Sequence, residues 1–461
     1  MLVPRVERIL GIEVYATRSY GIGGLIRQDV EDFVVEEILV DGSKAQVNKL
    51  NGDAGKSVLG SSAIENRYLL CVLVKRNWDM FMALANIAHQ LGISPTQIQI
   101  AGIKDAKAIT AQHITIEDVS MEEVQNLGLK DIEVRTIGYL RTELSSYYLL
   151  GNNFHIAIKE IRHSETTIGR RFTKIVEEID TLGGIPNFFG HQRFGTARPI
   201  THLVGKAIVK GSLEQAAMLF LAKPSPYEHL MSREARRELR RTRDFKKALG
   251  GFPKQLRYER LMLESLAEKP NDFAAAFKRL PARLRELFVQ AYQSYLFNRF
   301  LSGRIKKGLS LNVADVGDYV VSVERSGLPM LAMWKVVNRE NLAEINKAVR
   351  DGRMRLAIPL IGYGQHVSEG VQGDIEHEVL EEEGISPQDF RVGVLPEISS
   401  KGELRGIMAP VKGLSYDYVS TGDAESLGSG VNLDFMLFRG SYATVVLREF
   451  MKARKPIEAG F

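Results

Sequence analysis

A single cysteine, Cys71, stands in this chain of 461 residues, inside the apolar run Tyr68-Leu-Leu-Cys-Val-Leu-Val74. One thiol excludes an internal disulfide, and its setting is that of a small buried apolar residue. Cytoplasmic residence is the simplest expectation. No apolar run approaches the roughly 18 residues that a membrane span needs. The opening Met1-Leu-Val-Pro-Arg-Val-Glu-Arg8 carries an acid and no apolar stretch, so it does not read as a secretory signal. Cysteine pairs for zinc are lacking, and the nine histidines are dispersed without ligand spacing, so no metal is expected. Gly21-Ile-Gly-Gly24 lacks the third glycine of a dinucleotide loop. No Walker lysine follows a glycine cluster, and no Gly-x-Ser-x-Gly elbow occurs. Chemistry without a redox cofactor or metal is what these gaps leave. There is also no repeat of 20–50 residues to suggest a solenoid.

Apolar residues make up 44% of the chain and charged residues 25%, which suits a globular protein of two or three domains. The net charge of +5 is mild but unevenly spread. Bases greatly outnumber acids between Arg233 and Arg260, a density that marks either a nucleic-acid face or a solvated helix. Between Ser368 and Phe390 there are many acids and no Lys or Arg, which reads as solvated surface.

The first part alternates strands and helices. Glu31–Ile38, Tyr68–Lys75, Gln112–Ile116 and the alternating Phe154, Ile156 and Ile158 read as strands, and Ile98 and Ile100 lead into a loop. Trp78, Phe81, Met82, Ala85 and Ala88 have helical spacing that stops at Gly92. Ile168, Phe172, Ile175, Val176, Ile179 and Leu182 form a second helical stripe, stopped by Gly183-Gly184. Residues 200–300 read as mainly helical. Strands return at Asp318–Ser322 and Met354–Pro359, and the end returns to a strand (Phe435–Phe438) followed by a helix (Ala443–Leu447).

Five segments carry candidate chemistry. In Ala101-Gly-Ile-Lys-Asp-Ala-Lys-Ala-Ile-Thr110, the carboxylate of Asp105 is framed by Lys104 and Lys107 in a loop of small residues. That arrangement suits a nucleophile or base acting on an anionic substrate, or a plain turn or helix cap. Gly151 and Asn152 suit a tight turn before Phe154, itself a core candidate. Gly184–Gly195 combines three phenylalanines with His191, Gln192 and Arg193, and Arg198 follows. Rings that stack on bases and cations that meet phosphates are what unpaired RNA requires; a packed hinge is the alternative. Gln290–Asn298 reads as a packed amphipathic helix. In Gly440–Glu449, Tyr442 sits in a turn and Arg448 reads as an exposed helix residue.

Together these segments, with Glu31-Asp-Phe-Val-Val-Glu36, resemble the tRNA pseudouridine synthase D (TruD) family, of archaeal type. They occur in family order from about residue 15 to 452. The resemblance implies an α+β pseudouridine-synthase catalytic fold, a mixed, largely antiparallel sheet with flanking helices, and an inserted α/β TRUD domain. Residues 1–184 and 409–461 would share the catalytic sheet, and 185–408 would form the insertion. It implies isomerisation of uridine, at position 13 of tRNA; apart from the resemblance, no cofactor or metal is expected, and a monomer is the expected state. Asp105 matches the nucleophile. Arg27 falls where many members place a lysine that pairs with that aspartate, so the charge is kept and the shape differs. Phe154 matches the aromatic that stacks on the uracil, Asn152 its polar neighbour and Tyr442 an aromatic near the pocket. Lys104, Lys107, Gln192, Arg193, Arg198 and the 233–260 stretch are candidate RNA contacts. A non-catalytic tRNA-binding protein would keep the bases and rings without needing Asp105; a methyltransferase would need a cofactor loop that is not found.

Contacts to several phosphates make tRNA affinity fall roughly tenfold or more between 50 and 200 mM salt. Filter binding across that range checks this, and a flat affinity would contradict a basic RNA-binding face.

Overall fold

The computed structural model describes residues 2–48, 67–419 and 429–461. Six strands come first: β1 (Phe33–Leu39), β2 (Tyr68–Arg76), β3 (Ile98–Ile100), β4 (Ile109–Glu117), β5 (Ile132–Leu140) and β6 (Leu149–Ile161). Then follow β7 (Ile185–Pro186), β8 (Tyr319–Val323), β9 (Pro329–Val336), β10 (Met354–Leu360), β11 (Glu403–Gly406) and β12 (Met408–Ala409). β13 (Val411–Val419) and β14 (Ser429–Phe438) come last.

Both ends of the chain build one eight-stranded sheet, in the order β13-β14-β6-β1-β4-β2-β5 with β3 on β4. The β1–β4 pair is parallel and the other pairs are antiparallel, so the sheet is mixed and largely antiparallel. A second sheet, β11-β10-β8-β9, comes from the intervening residues. The short β7–β12 ladder sets Ile185 against Ala409 where the chain leaves the large sheet and returns to it.

Apolar alternation builds the large sheet as expected. Phe154, Ile156 and Ile158 all point into the core, and helix Glu165–Leu182 buries Ile168, Phe172, Ile175 and Ile179 beneath it before Gly183 turns left-handed at φ 80°. Helix Met80–Leu91 stops at Gly92 as expected, but its buried face is Met80, Ala83, Leu84, Ile87 and Ala88. Phe81 and Met82 of the expected stripe face solvent. Residues 201–306 are helical, ending in the long helix Ala282–Lys306, which buries Gln293 to Asn298 almost entirely. No helix among the described residues is long and apolar enough to cross a membrane.

Two expectations fail because their charges find buried partners. Arg448, expected to be exposed, is enclosed in helix Ala443–Met451 and pairs with Glu7 at 2.9 Å and Glu449 at 2.7 Å. The acidic stretch is not wholly solvated: Glu376 is buried and accepts from the backbone and hydroxyl of Ser368, and burial pushes its carboxyl up to about 7.

Gly151 is not in a turn. It lies in β6 opposite Phe438, where β14 crosses so closely that a Cβ would sit 2.1 Å from the Leu437 carbonyl oxygen. Glycine is needed there for backbone approach. Gly151→Ala must push the two strands apart and is expected to cost about 1–3 kcal/mol. Urea denaturation reads this as a lowered midpoint; an unchanged midpoint would show that the strands are not held in this register.

Candidate active site

Asp105 projects from the loop between β3 and β4. Arg27, in the segment before β1, reaches it with Nη2 3.2 Å from Oδ2. Arg27 adopts the left-handed region at φ 56°, an uncommon conformation for a side-chain-bearing residue. Its guanidinium lies 4.1 Å from the ring centre of Phe33, so an aromatic face supports it from β1. Burial lowers the Arg27 pKa and the Asp105 charge works against that shift. Arg27 is 11% exposed and Asp105 34%: the base is enclosed and the acid is open to a cleft.

That cleft has a volume of about 410 Å³, within the range of ligand pockets. Strand register explains its floor. Phe435 of β14 pairs with Phe154 of β6, Phe154 with Val35 of β1, Val35 with Thr110 of β4, and Thr110 with Lys75 of β2. Paired residues share a face, so one row runs across five strands beneath the Asp105 loop. Phe154 stacks on Phe435 at 5.4 Å and meets Phe33 edge-on at 6.3 Å. Asn152, two residues before Phe154 and on the same face, also lines the cleft; its buried Oδ1 has no hydrogen-bond partner among the described residues.

Gln192, Arg193 and Leu287 form the opposite wall with Ser441 to Thr444. Thr444 donates its hydroxyl to Gln192 Oε1 at 3.1 Å, which leaves the Gln192 amide nitrogen as the free end. Gly190 makes this meeting possible, because a Cβ there would lie 2.8 Å from Thr444 Oγ1. Arg193 donates to Ser294 at 3.1 Å and Gln290 at 3.2 Å. Tyr442 packs edge-on against Phe189 at 6.1 Å.

Eight expected residues therefore meet at one cleft: Asp105, Lys104, Phe154, Asn152, Tyr442, Gln192 and Arg193 line it, and Arg27 pairs with Asp105 beside it. Lys107 lies exposed on the Asp105 loop. Four expectations are corrected. Lys104 is not a phosphate contact: it is buried and donates to Glu37 at 2.5 Å. Arg198 is not one either. It donates to the carbonyls of Phe220 and Lys223 at the end of helix Leu213–Ala222 and lies near Glu228 and Glu259. The basic stretch is only partly a face: Arg236 is buried against Glu228 and Glu259, and Arg241 and Lys247 pair with Glu238, while Arg237, Arg240, Lys246, Lys254 and Arg257 are exposed. The phenylalanines Phe188, Phe189 and Phe194 are core residues and offer no free stacking face.

Sequence reasoning missed Glu37, Lys75, Thr444 and Arg405. Arg405 is half-buried over the Phe189 ring at 4.0 Å and ties Asn187 to Gly440, joining the two strands of chain that form the far wall. Glu37 and Lys75 had a signal: each is a charge at an inward position of an apolar strand.

A carboxylate held by arginine at the rim of an aromatic-floored cleft is equipped to act as nucleophile or base on a planar, base-like group. Comparison with known proteins places the whole chain in a family. The family model described as tRNA pseudouridine synthase D (TruD) matches residues 9–450. A protein of Methanococcoides burtonii named "Probable tRNA pseudouridine synthase D" is 41% identical over 453 residues, 98% of each chain. One of the same name from Pyrococcus furiosus is 36% identical over 439 residues, covering 95% of this chain and 98% of that one. A crystal structure from Methanosarcina mazei, described as that of the "Putative tRNA pseudouridine synthase D (TruD)", matches with a TM-score of 0.79 at 39% identity, over 98% of this chain and 99% of that one. The chain belongs to the tRNA pseudouridine synthase D family.

Glu37 anchors the loop from below. It is fully buried, accepts from Lys104, and accepts the His113 backbone N–H at 3.0 Å. Burial opposes its charge, but Lys104 and His113 outweigh that and hold its carboxyl below the usual range. Glu37→Gln leaves the Lys104 ammonium buried and unpaired, a loss of roughly 3–5 kcal/mol. Because the folded-state pKa is lowered, the wild type keeps this contribution above the unfolded carboxylate value and loses it as pH falls below that value. Denaturant unfolding near neutrality and in acid checks both; a variant as stable as wild type would deny the pair its structural role.

Proposed function

We propose that this protein converts uridine 13 of tRNA to pseudouridine, with Asp105 acting on a uridine flipped into the cleft. The observation that carries the reading is the placement of Asp105, paired with Arg27, at the rim of the cleft floored by Phe154. The family resemblance supports tRNA as the substrate, and position 13 is the expectation drawn from it. In the reaction the C1′–N1 bond breaks, the uracil turns, and a C1′–C5 bond forms. C5 loses its proton and N1 gains one, so the sum is an isomerisation. The Asp105 carboxylate takes part either by attacking C1′ or by removing a proton from the sugar.

Unstacking the uridine costs a few kcal/mol. A single stack on Phe154 returns about 1–3 kcal/mol, so contacts to the tRNA backbone must supply the rest. Lys107, Arg193 and the exposed bases among residues 237–257 are the candidates. Asn152 and the free amide of Gln192 are placed to meet the polar edge of the base. Tyr442 closes the far side. We read residues 185–408 as the inserted TRUD domain and 1–184 with 409–461 as the catalytic domain, a division supported by the β7–β12 ladder at the boundary. We read the protein as a monomer that acts on tRNA in the cytoplasm.

Mapping of pseudouridine in tRNA incubated with wild type and with Asp105→Asn tests the reading. The expected result is product at position 13 with wild type and none with the variant, tRNA binding being retained. Product at another position would refute the site choice. Equal product from both proteins would refute the role of Asp105, and no product from either would favour a tRNA-binding protein without catalysis.

A further inference from the structure

Lys75 is the last inward-facing residue of β2 and is fully enclosed. Its ammonium donates to the main-chain carbonyl of Asp105 at 2.6 Å. No carboxylate of the described residues lies within ion-pair distance of it. The charged groups that face it are Asp105 and Lys104 of the loop and Asp79 after β2; its cross-strand neighbours, Thr110 on β4 and Ile132 on β5, are uncharged. A buried cation with no carboxylate partner is unfavourable for the fold, so its place directly under one loop points to a task there.

We infer that Lys75 is a positioning residue of the reaction: its ammonium holds the Asp105 peptide from below while Arg27 holds the carboxylate from the side, and turnover needs Lys75 protonated. This rests on the reading of Asp105 as the nucleophile. A charged donor makes a hydrogen bond roughly twice as strong as a neutral one, so deprotonation loosens the grip on the carbonyl. Burial lowers the Lys75 pKa to about 8, against the pull of Asp105 and Asp79 and with the push of Lys104. The fold is not what fails above that pH. Between the folded value and the unfolded one the unfolded chain binds more protons, so the contribution of Lys75 to stability rises with pH.

Single-turnover rates of pseudouridine formation, measured across neutral and alkaline pH with wild type, Lys75→Arg and Lys75→Gln, test the inference. The wild-type rate is expected to fall with a midpoint near 8. Lys75→Arg, which stays charged, is expected to move that fall to higher pH. Lys75→Gln is expected to lose on the order of 10–100-fold at neutral pH, with unchanged tRNA affinity and no fall near the wild-type midpoint. Ionisation of uridine itself acts on all three proteins alike. A Lys75→Gln rate equal to wild type, or a Lys75→Arg profile superimposable on wild type, would overturn the inference. If neither variant folds, as judged by tRNA binding, a wild-type rate that stays flat through the alkaline range overturns it alone. Activity in Asp105→Asn would sink the nucleophile reading. An inactive Asp105→Asn beside a fully active Lys75→Gln would sink only the role of Lys75.

Discussion

Everything at this site depends on β6 pairing with β1 on one side and β14 on the other. That double pairing places Phe154 between Val35 and Phe435. β1 then pairs in parallel with β4, which carries the Asp105 loop at its start, so the aromatic floor and the acid come to the same face of one sheet. A one-residue slip in any of these ladders would turn its side chains to the other face. The close crossing at Gly151 fixes the β6–β14 register near the cleft, with the Leu437 backbone in the space a side chain would need.

The loop itself is short of regular hydrogen bonds, and charged side chains hold it from several strands. Arg27 takes the Asp105 carboxylate, Lys75 its carbonyl, and Lys104 reaches down to Glu37. Gln112 of β4 adds a bond to the Gly102 carbonyl at 3.2 Å. Buried charges are tolerated only where they are paired or hydrogen-bonded. The cluster is thus a rigid mount in which one carboxylate, that of Asp105, is left partly open. The far wall comes from distant sequence and is tied to the sheet by Arg405 and by the Thr444–Gln192 bond.

Much of this was legible in the sequence. Period-two alternation marked Phe154, Ile156 and Ile158, helical spacing with a glycine stop marked Glu165–Leu182, and the motifs marked Asp105, Asn152, Gln192 and Tyr442. What stayed hidden depends on contacts between distant residues. Lys104 and Lys107 look alike in the chain, yet the loop turns between them, and one meets Glu37 while the other meets solvent. Arg198 and Arg236 look like RNA-binding bases until helix-end carbonyls and Glu228 and Glu259 are brought beside them. In helix Met80–Leu91 the spacing was right and the face was not, because an alanine-rich turn leaves Phe81 and Met82 free to point outward. Gly151 looked like a turn residue because its need for closeness is imposed by β14, which lies far along the chain.

The proposed reaction turns on a uridine held between Phe154 and Asp105. A crystal structure of the Asp105→Asn protein bound to tRNA tests it most directly. The predicted result is one nucleotide drawn out of the tRNA, its uracil ring against Phe154 and its C1′ atom facing residue 105. An ordered tRNA whose extruded base lies elsewhere, for instance in the concavity around His366 and His377, would contradict it.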